Sequence, residues 1–262
     1  MKKALALIIL LVALVGCSSL KGETDTIKIG ITPVPNAEIL EFIKEDIEAK
    51  GYKLDIIEFT DYVLPNLALD EGDLDINLFQ HKPYLNNFNA ERGTKVVAVA
   101  DIYIAPIAIY SSKLSSLDEL EDGALVVIPG DATNGGRSLV LLEGAGLIKL
   151  KEGLGENATP LDIVENPKNL KFKELEAAQI PNVLDDADIA AINVNFALSS
   201  GLDPRESLLR EAGQGNPYAN VLAVREGDED KDYVKVLIEV LQSDKVRDFL
   251  NDGLEGAVLA AF

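Results

Sequence analysis

Cysteine, histidine, methionine and tryptophan are nearly absent from this chain of 262 residues, which has one Cys, one His, one Met and no Trp. A single cysteine cannot form an internal disulfide, so the apolar core must stabilise the fold. One histidine and one thiol exclude a multi-histidine zinc site and disfavour Cys/His catalysis. The sequence also lacks a GxSxG elbow, a P-loop and a GxGxxG turn, the signatures of common hydrolases and nucleotide-binding enzymes. We therefore predict no metal, no cofactor and no enzymatic activity.

Basic residues are also scarce, since 24 Lys and Arg stand against 44 Asp and Glu, for a formal net charge of −20. No cluster of basic residues is present, so nucleic acid is not an expected partner. Hydrophobic residues make up 47% of the chain, which is enough for a sizeable core. The length suits one large or two small domains.

The N-terminus has the pattern of an export signal. Lys2 and Lys3 precede an apolar run over residues 4–15, which is too short for a stable membrane span. The run leads into Leu-Val-Gly-Cys at 14–17, which resembles the bacterial lipobox. That resemblance implies cleavage before Cys17, lipidation of its thiol and acylation of the new amine (palmitate being one such chain). We predict a signal peptide at 1–16 and a lipidated tether at 17–25. An ordinary signal peptide with a chance cysteine is the alternative.

The sequence after the tether alternates strand and helix patterns. Residues 26–32 alternate apolar and polar side chains, a helix pattern follows from Asn36 to Gly51, and residues 53–59 form a second strand pattern. The order β-α-β-α-β through Leu78 predicts a parallel α/β sheet. Residues 96–110 are too long for one strand, and we expect them to pass from one sheet to a second near Pro106.

The second half repeats this alternation. Strand patterns occur at 124–129, 170–175, 188–193 and 221–225. Helix patterns occur at 135–142, 177–184, 233–241 and 245–250. We predict an α/β protein of two lobes, lobe 1 comprising 26–107 plus 222–262 and lobe 2 comprising 108–221, with a ligand cleft between them. A single mixed α/β domain is the alternative.

Candidate binding residues cluster around the third strand. A strand pattern ends in Phe79, Gln80 and His81 before a helix that starts at a proline and contains Tyr84. Small ligands bind at the carboxyl edge of open α/β sheets, and we include Tyr62 from the preceding segment. His81 could instead be a packed, hydrogen-bonded residue or a general base.

Three further stretches place polar groups after strands. Asn134 and Arg137 lie at a predicted helix start, where both the helix N-terminus and a guanidinium favour a carboxylate. Asn193 and Asn195 end a buried strand pattern, and amides there need partners. Asn220 closes NPYAN at 216–220. The alternatives are a solvated charge for Arg137, a helix cap for Asn193, and turn chemistry at 216–217.

These motifs together resemble a known family. DYVLPN at 61–66, NLFQHKPYL at 77–85, IPGDATNGGRSL at 128–139, AINVNFA at 191–197 and NPYAN at 216–220 occur in the order found in methionine-binding lipoproteins, the substrate-binding subunits of methionine ABC importers. Gly130 and Gly135 stand where Asn and Leu are commoner in the family, and Phe196 replaces a tyrosine. The resemblance implies a two-lobed periplasmic-binding-protein-like fold.

The resemblance also implies a function. The protein would be a lipid-anchored receptor on the extracytoplasmic face of the cell membrane, periplasmic or at the cell surface, delivering L-methionine to the membrane and ATPase subunits of an importer. Arg137, helped by Asn134, would hold the α-carboxylate, and Asn195, with Asn193 or Asn220, would hold the α-ammonium. The thioether would lie among aromatic groups, which make favourable contacts with sulfur: Tyr62, Phe79, His81 and Tyr84.

Other functions stay open from the residues alone. A binder of a methionine-containing dipeptide or another apolar amino acid would share these motifs. A hydrolase using His81 with a nearby carboxylate and an adhesin-like surface lipoprotein are further alternatives.

Overall fold

The computed structural model describes residues 25–213, 215–254 and 256–262. The predicted signal peptide, Cys17 and all but the last residue of the predicted tether lie outside the described residues. None of the helices within these ranges is long and apolar enough to cross a bilayer.

The strands in chain order are β1 (Asp25–Ile31), β2 (Tyr52–Glu58), β3 (Ile76–His81), β4 (Val96–Ile104), β5 (Ala108–Tyr110), β6 (Leu125–Pro129), β7 (Lys149–Leu150), β8 (Ile163–Glu165), β9 (Lys171–Leu175), β10 (Ile189–Ile192), β11 (Leu209–Arg210), β12 (Ala219–Arg225) and β13 (Leu259–Ala260). The α-helices are α1 (Pro33–Ala49), α2 (Leu64–Glu71), α3 (Lys82–Arg92), α4 (Ala132–Gly144), α5 (Val194–Ser199), α6 (Asp232–Leu241) and α7 (Asp244–Asp248).

The first sheet has six strands in the order β13-β4-β12-β3-β1-β2. The strand β1 is parallel to β2 and β3, as the βαβ pattern predicts. The returning strand β12 is antiparallel to both β3 and β4, so the complete sheet is mixed. Ile29, Ile39, Leu78 and Leu222 are fully buried in its core, where α1 and α6 cover the sheet.

The second sheet has five strands in the order β11-β5-β10-β6-β9. Its parallel part is β10-β6-β9, whereas β5 and β11 run antiparallel. Ile109, Val126, Leu139 and Ile189 are fully buried in a separate apolar core. The two sheets therefore have their own cores, and the fold class is α/β as predicted.

Two short segments join the sheets. The chain leaves the first sheet at the end of β4 and enters the second at β5, with Pro106 between them, which confirms the predicted crossing. It returns through residues 211–218 into β12. All of β12 lies in the first sheet, so residues 219–221, assigned to lobe 2 from the sequence, pair with the first sheet instead.

Some helix boundaries differ from the predictions for local reasons. The sequence pattern from Tyr62 to Leu69 predicts a helix, but the Asp61 carboxylate accepts hydrogen bonds from the N–H groups of Val63 and Leu64, and α2 begins at Leu64. Residues Ala177–Val183 form a 3-10 helix and not an α-helix, since Pro181 lies within it and proline cannot donate an interior helical bond. The helix α7 is continued by a π-helix at Phe249–Gly253.

The buried position of Leu222 in the central strand β12 gives a stability prediction. Leu222→Ala removes buried methyl groups and leaves a cavity, so the free energy of unfolding should fall by about 2–5 kcal/mol in urea denaturation. Leu161 is 95% exposed, so the same change there should alter stability by less than about 0.5 kcal/mol. Equal effects of the two substitutions would contradict the assignment of the core.

Candidate ligand-binding site

A partly enclosed cavity lies between the two sheets. All nine ligand-binding residues predicted from the sequence line it, and their role in binding stays a prediction. The remaining lining residues were not predicted: Pro35, Gln80, Tyr103, Ala105 and Val194.

The carboxyl ends of four strands supply these groups, as expected for an open α/β sheet. Pro35 follows β1, His81 ends β3, Asn134 follows β6, and Asn193 follows β10. Asn220 at the start of β12 is the register partner of His81. The topology therefore gathers residues from both sheets around one space.

His81 is a fixed, neutral hydrogen-bond donor. Its Nδ1 accepts from the backbone N–H of Tyr84 at 3.1 Å, so the proton lies on Nε2 and is donated to Oδ1 of Asn134 at 3.1 Å. Burial, reinforced by the nearby Arg137 charge, lowers the pKa of His81 to about 3. Both ring nitrogens form hydrogen bonds within the protein. This disfavours a role for His81 as the general base of a hydrolase and supports its interpretation as a packed, hydrogen-bonded residue.

Asn134 and Asn193 form a buried pair of amides. Asn134 Oδ1 accepts from Nδ2 of Asn193 at 2.9 Å, while Nδ2 of Asn134 donates to both Asp131 oxygens at 3.0 and 3.1 Å. Asn193 stands at the N-cap of α5 but makes no side-chain capping bond, so the capping alternative is wrong. Its Oδ1 is buried and accepts no hydrogen bond from the described residues. An acceptor left over at the cavity wall fits a donor on a ligand.

Arg137 is 2% exposed, so the solvated-charge alternative is wrong. Its Nε donates to Oε1 of Glu211 at 2.7 Å, and its Nη2 donates to Oε2 of Glu211 at 2.5 Å and to the carbonyl of Ala105 at 2.8 Å. The guanidinium also lies 4.2 Å from the ring centre of Tyr218. None of the hydrogen bonds formed among the described residues uses Nη1, which leaves this donor for another partner.

Aromatic side chains form the opposite wall. The ring of Tyr62 lies 5.9 Å from Phe79, 5.7 Å from Tyr84 and 4.9 Å from Phe196. Tyr62 donates its hydroxyl proton to Oδ1 of Asn195 at 2.5 Å, which joins the two halves of the fold. Burial, with the Asp131 charge second, raises the pKa of both Tyr62 and Tyr84 well above the ordinary value, so both hydroxyls stay protonated.

The glycine at 135 is explained by a close approach. A Cβ atom there would lie 2.7 Å from the carbonyl oxygen of Pro129. The start of α4 is nevertheless well held, because the Asp131 carboxylate accepts from the backbone N–H of Asn134 at 2.9 Å.

Sequence reasoning did not find Glu211 or the amide network beneath the site. Glu211 is one of 44 acidic residues, and no local pattern distinguishes it. Gln80 exchanges hydrogen bonds with Asn66 at 2.6 and 2.7 Å, and Asn77 donates to the same Asn66 oxygen at 2.9 Å. The polar side chains within the otherwise apolar β3 were the available signal for this network. No group of His, Cys, Asp or Glu suited to a metal ion occurs in the part of the chain that the structure describes.

Two α/β sheets joined by two crossing segments, with a cavity between their carboxyl edges, form the two-lobed, periplasmic-binding-protein-like class of fold. Within that class the family is defined by sequence. The family model described as NlpA lipoprotein matches residues 27–262, and the chain belongs to this family.

Individual relatives agree with this assignment. The D-methionine-binding lipoprotein MetQ of Escherichia coli is 45% identical over 250 residues, covering 94% of this chain and 92% of that protein. A nutrient-binding protein from Burkholderia cenocepacia, solved bound to methionine, is 45% identical with a TM-score of 0.86, over 90% of this chain and 100% of the other. An ABC-transporter periplasmic substrate-binding protein from Coxiella burnetii is 41% identical with a TM-score of 0.85, over the same shares. The family predicted from the motifs is confirmed.

The low pKa of His81 predicts a pH-dependent stability. Below about pH 6.5 the histidine of the unfolded chain is protonated, while that of the folded chain stays neutral. The free energy of unfolding therefore decreases as the pH is lowered from about 6.5 to the folded-state pKa of about 3. Between about pH 6.5 and pH 5 the free energy of unfolding should fall by roughly 2 kcal/mol from this group. Urea denaturation across this range measures the slope.

His81→Gln is the control for this slope, since the chain has no other histidine. In this variant the dependence between about pH 5 and 6.5 should be lost. An unchanged slope would mean that His81 is not the responsible group.

Proposed function

We propose that this protein is a lipid-anchored receptor that binds methionine in the cavity between the sheets and delivers it to an ABC importer. The observation that carries the proposal is a pair of complementary groups on one buried wall. Among the described residues, no donor pairs with Oδ1 of Asn193 and no acceptor pairs with Nη1 of Arg137, and both residues line the cavity. An amino acid carries one group for each, an ammonium and a carboxylate. We take methionine as this amino acid because the relatives include a methionine-binding lipoprotein and a structure bound to methionine.

The carboxylate is assigned to Arg137. A guanidinium that is already held by Glu211 and Ala105 has its remaining Nη1 fixed in direction, and charge-assisted hydrogen bonds to a carboxylate are stronger than neutral ones. Asn134, predicted as a helper for the carboxylate, uses its amide on His81, Asn193 and Asp131. In this proposal Asn134 positions Asn193 and does not touch the ligand carboxylate.

The ammonium is assigned to Asn193, not to Asn195 as the sequence favoured. The Oδ1 of Asn195 already accepts from the Tyr62 hydroxyl, whereas the Oδ1 of Asn193 is buried and lacks a partner among the described residues. A buried acceptor regains the hydrogen bond lost with water when an ammonium binds. Asn220 lines the same cavity and is a second contact for this end of the ligand.

The side chain of the ligand is assigned to the aromatic wall. Tyr62, Phe79 and Tyr84 surround the cavity at ring separations of 5.7–6.4 Å. Sulfur–aromatic contacts contribute about 0.3–1.5 kcal/mol and suit a flexible apolar chain. Opening of the two halves, which breaks the Tyr62–Asn195 and His81–Asn134 hydrogen bonds, would admit the ligand.

The cellular role follows from the same family. A lipid on Cys17 would hold the receptor at the extracytoplasmic face of a membrane, in a periplasm or at the cell surface, where importer subunits take up its ligand. We propose no catalytic activity, because the proposed site uses both nitrogens of its histidine for structural hydrogen bonds.

The direct test is calorimetric titration of ligand-stripped, full-length lipoprotein in detergent with L-methionine, D-methionine, Gly-Met and N-acetyl-methionine. Methionine should bind, and N-acetyl-methionine should bind far more weakly because it lacks the ammonium that Asn193 requires. Comparison of the two enantiomers tests the L form that the family resemblance implies. Tighter binding of Gly-Met than of either enantiomer would replace the proposal with a dipeptide receptor.

Substitution of the guanidinium tests the assignment of the carboxylate. Arg137→Ala should weaken methionine binding by about 2–5 kcal/mol, the usual cost of removing one partner of a buried charge pair. Arg137→Lys keeps the charge beside Glu211 and should also bind methionine more weakly, because a lysine ammonium cannot reproduce the planar, bidentate donor geometry of a guanidinium.

The matched control is Arg247→Ala, since the Arg247 side chain is 39% exposed and pairs with Asp244 away from the cavity. Its methionine affinity should equal that of the unmodified protein. Thermal unfolding of each variant separates loss of binding from loss of folding. Folded Arg137 variants with unchanged affinity would remove this residue from the site.

A further inference from the structure

Glu211 is held by hydrogen bonds from three parts of the chain. It accepts from Arg137 of α4 at 2.5 and 2.7 Å, from the backbone N–H of Ile107 at 3.1 Å, and from Nδ2 of Asn216 at 3.1 Å. Ile107 lies in the first segment that joins the sheets, and Glu211 and Asn216 lie in the second. Its side chain is 12% exposed, so this carboxylate is nearly buried and fully occupied.

The electrostatic consequence is a charge-balanced ion pair at the cavity. Among the described residues that line the cavity, Arg137 is the one with a charged side chain. Asp131, the nearest carboxylate to Asn134, accepts from Thr133 and Asn134 and does not line this cavity. The bidentate Glu211 brings the net charge of the Arg137–Glu211 pair to zero before any ligand binds.

We propose that Glu211 is the positioning residue that directs Nη1 of Arg137 into the cavity and, by cancelling its charge, makes the cavity select ligands of zero net charge. This inference rests on the proposed function. A ligand carboxylate beside the Arg137–Glu211 pair leaves one excess negative charge, which a buried site does not tolerate without a cation. A zwitterion brings that cation in its own ammonium group.

A substitution that removes only the Glu211 charge tests the idea. Glu211→Gln keeps the size of the side chain, Glu211→Asp keeps the charge but shortens the reach, and Glu239→Gln removes a charge at an exposed ion pair with Lys50. Three ligands are titrated into the full-length lipoprotein in detergent: methionine, 4-(methylthio)butanoate, which lacks the ammonium, and methioninol, which lacks the carboxylate.

The expected result is a change in selectivity and not only in affinity. In Glu211→Gln the dissociation constant of the anionic 4-(methylthio)butanoate, divided by that of methionine, should fall by at least about tenfold. The same ratio for the cationic methioninol should rise by a similar factor. Glu211→Asp keeps the negative charge, so it should keep both ratios within about threefold of the unmodified protein, even where all affinities weaken. Glu239→Gln should change nothing.

Two outcomes would overturn the inference. The first is a Glu211→Gln variant that weakens all three ligands by one common factor, which is the behaviour of a purely structural residue. The second is a Glu211→Asp variant whose selectivity shifts toward the anionic analogue. If Glu211→Gln does not fold in a thermal unfolding assay, the Glu211→Asp result is the test of the inference. Failure of the unmodified protein to bind methionine contradicts the proposed function instead, and the anionic-to-cationic ratio then decides the role of Glu211.

Discussion

The architecture of the cavity depends on one constraint, that a charge or polar atom removed from water needs a partner. The ion pair between Arg137 and Glu211 meets this constraint at the centre of the fold. His81, Asn134 and Asn193 meet it as a chain of amide and imidazole bonds. Three buried side-chain atoms of the described residues lack partners, and of these only Oδ1 of Asn193 belongs to a cavity-lining residue. The hydrogen bond that Oδ1 of Asn193 lacks among the described residues is thus located where a ligand could supply it.

The same hydrogen bonds help to hold the two halves of the fold together, beside those that Arg210 donates to the carbonyls of Gly256 and Ala257. Tyr62 to Asn195 and His81 to Asn134 are single bonds between groups that follow different sheets. A hydrogen bond of this kind contributes only about 1 kcal/mol net. Each sheet has its own apolar core, and Val194 of α5 also packs into the core of the first sheet. Opening therefore breaks these two hydrogen bonds and also disturbs the packing of Val194, while most of each core stays intact.

Local patterns determined much of what could be predicted from the sequence. Strand and helix periodicity located β1, β3 and α4, and the interruption at Pro106 located the crossing between sheets. Motifs after strands gathered nine residues that the fold brings around one cavity. Partners that are remote in the chain could not be found in this way, since Glu211 lies 74 residues from Arg137. The choice between Asn193 and Asn195 depends on which oxygen Tyr62 occupies, and this is a property of the tertiary structure.

The position of β12 has a consequence for how the chain folds. This strand lies between β3 and β4 in the first sheet, yet it comes more than a hundred residues later in the sequence. Until Ala219–Arg225 joins the sheet, β3 and β4 have no shared neighbour and the apolar core beneath them stays open. Pairing of such distant segments is slow, because loop closure must precede the contacts that stabilise it. The second sheet, which is contiguous in sequence, can complete its core first, and the first sheet closes around a strand synthesised near the end of the chain.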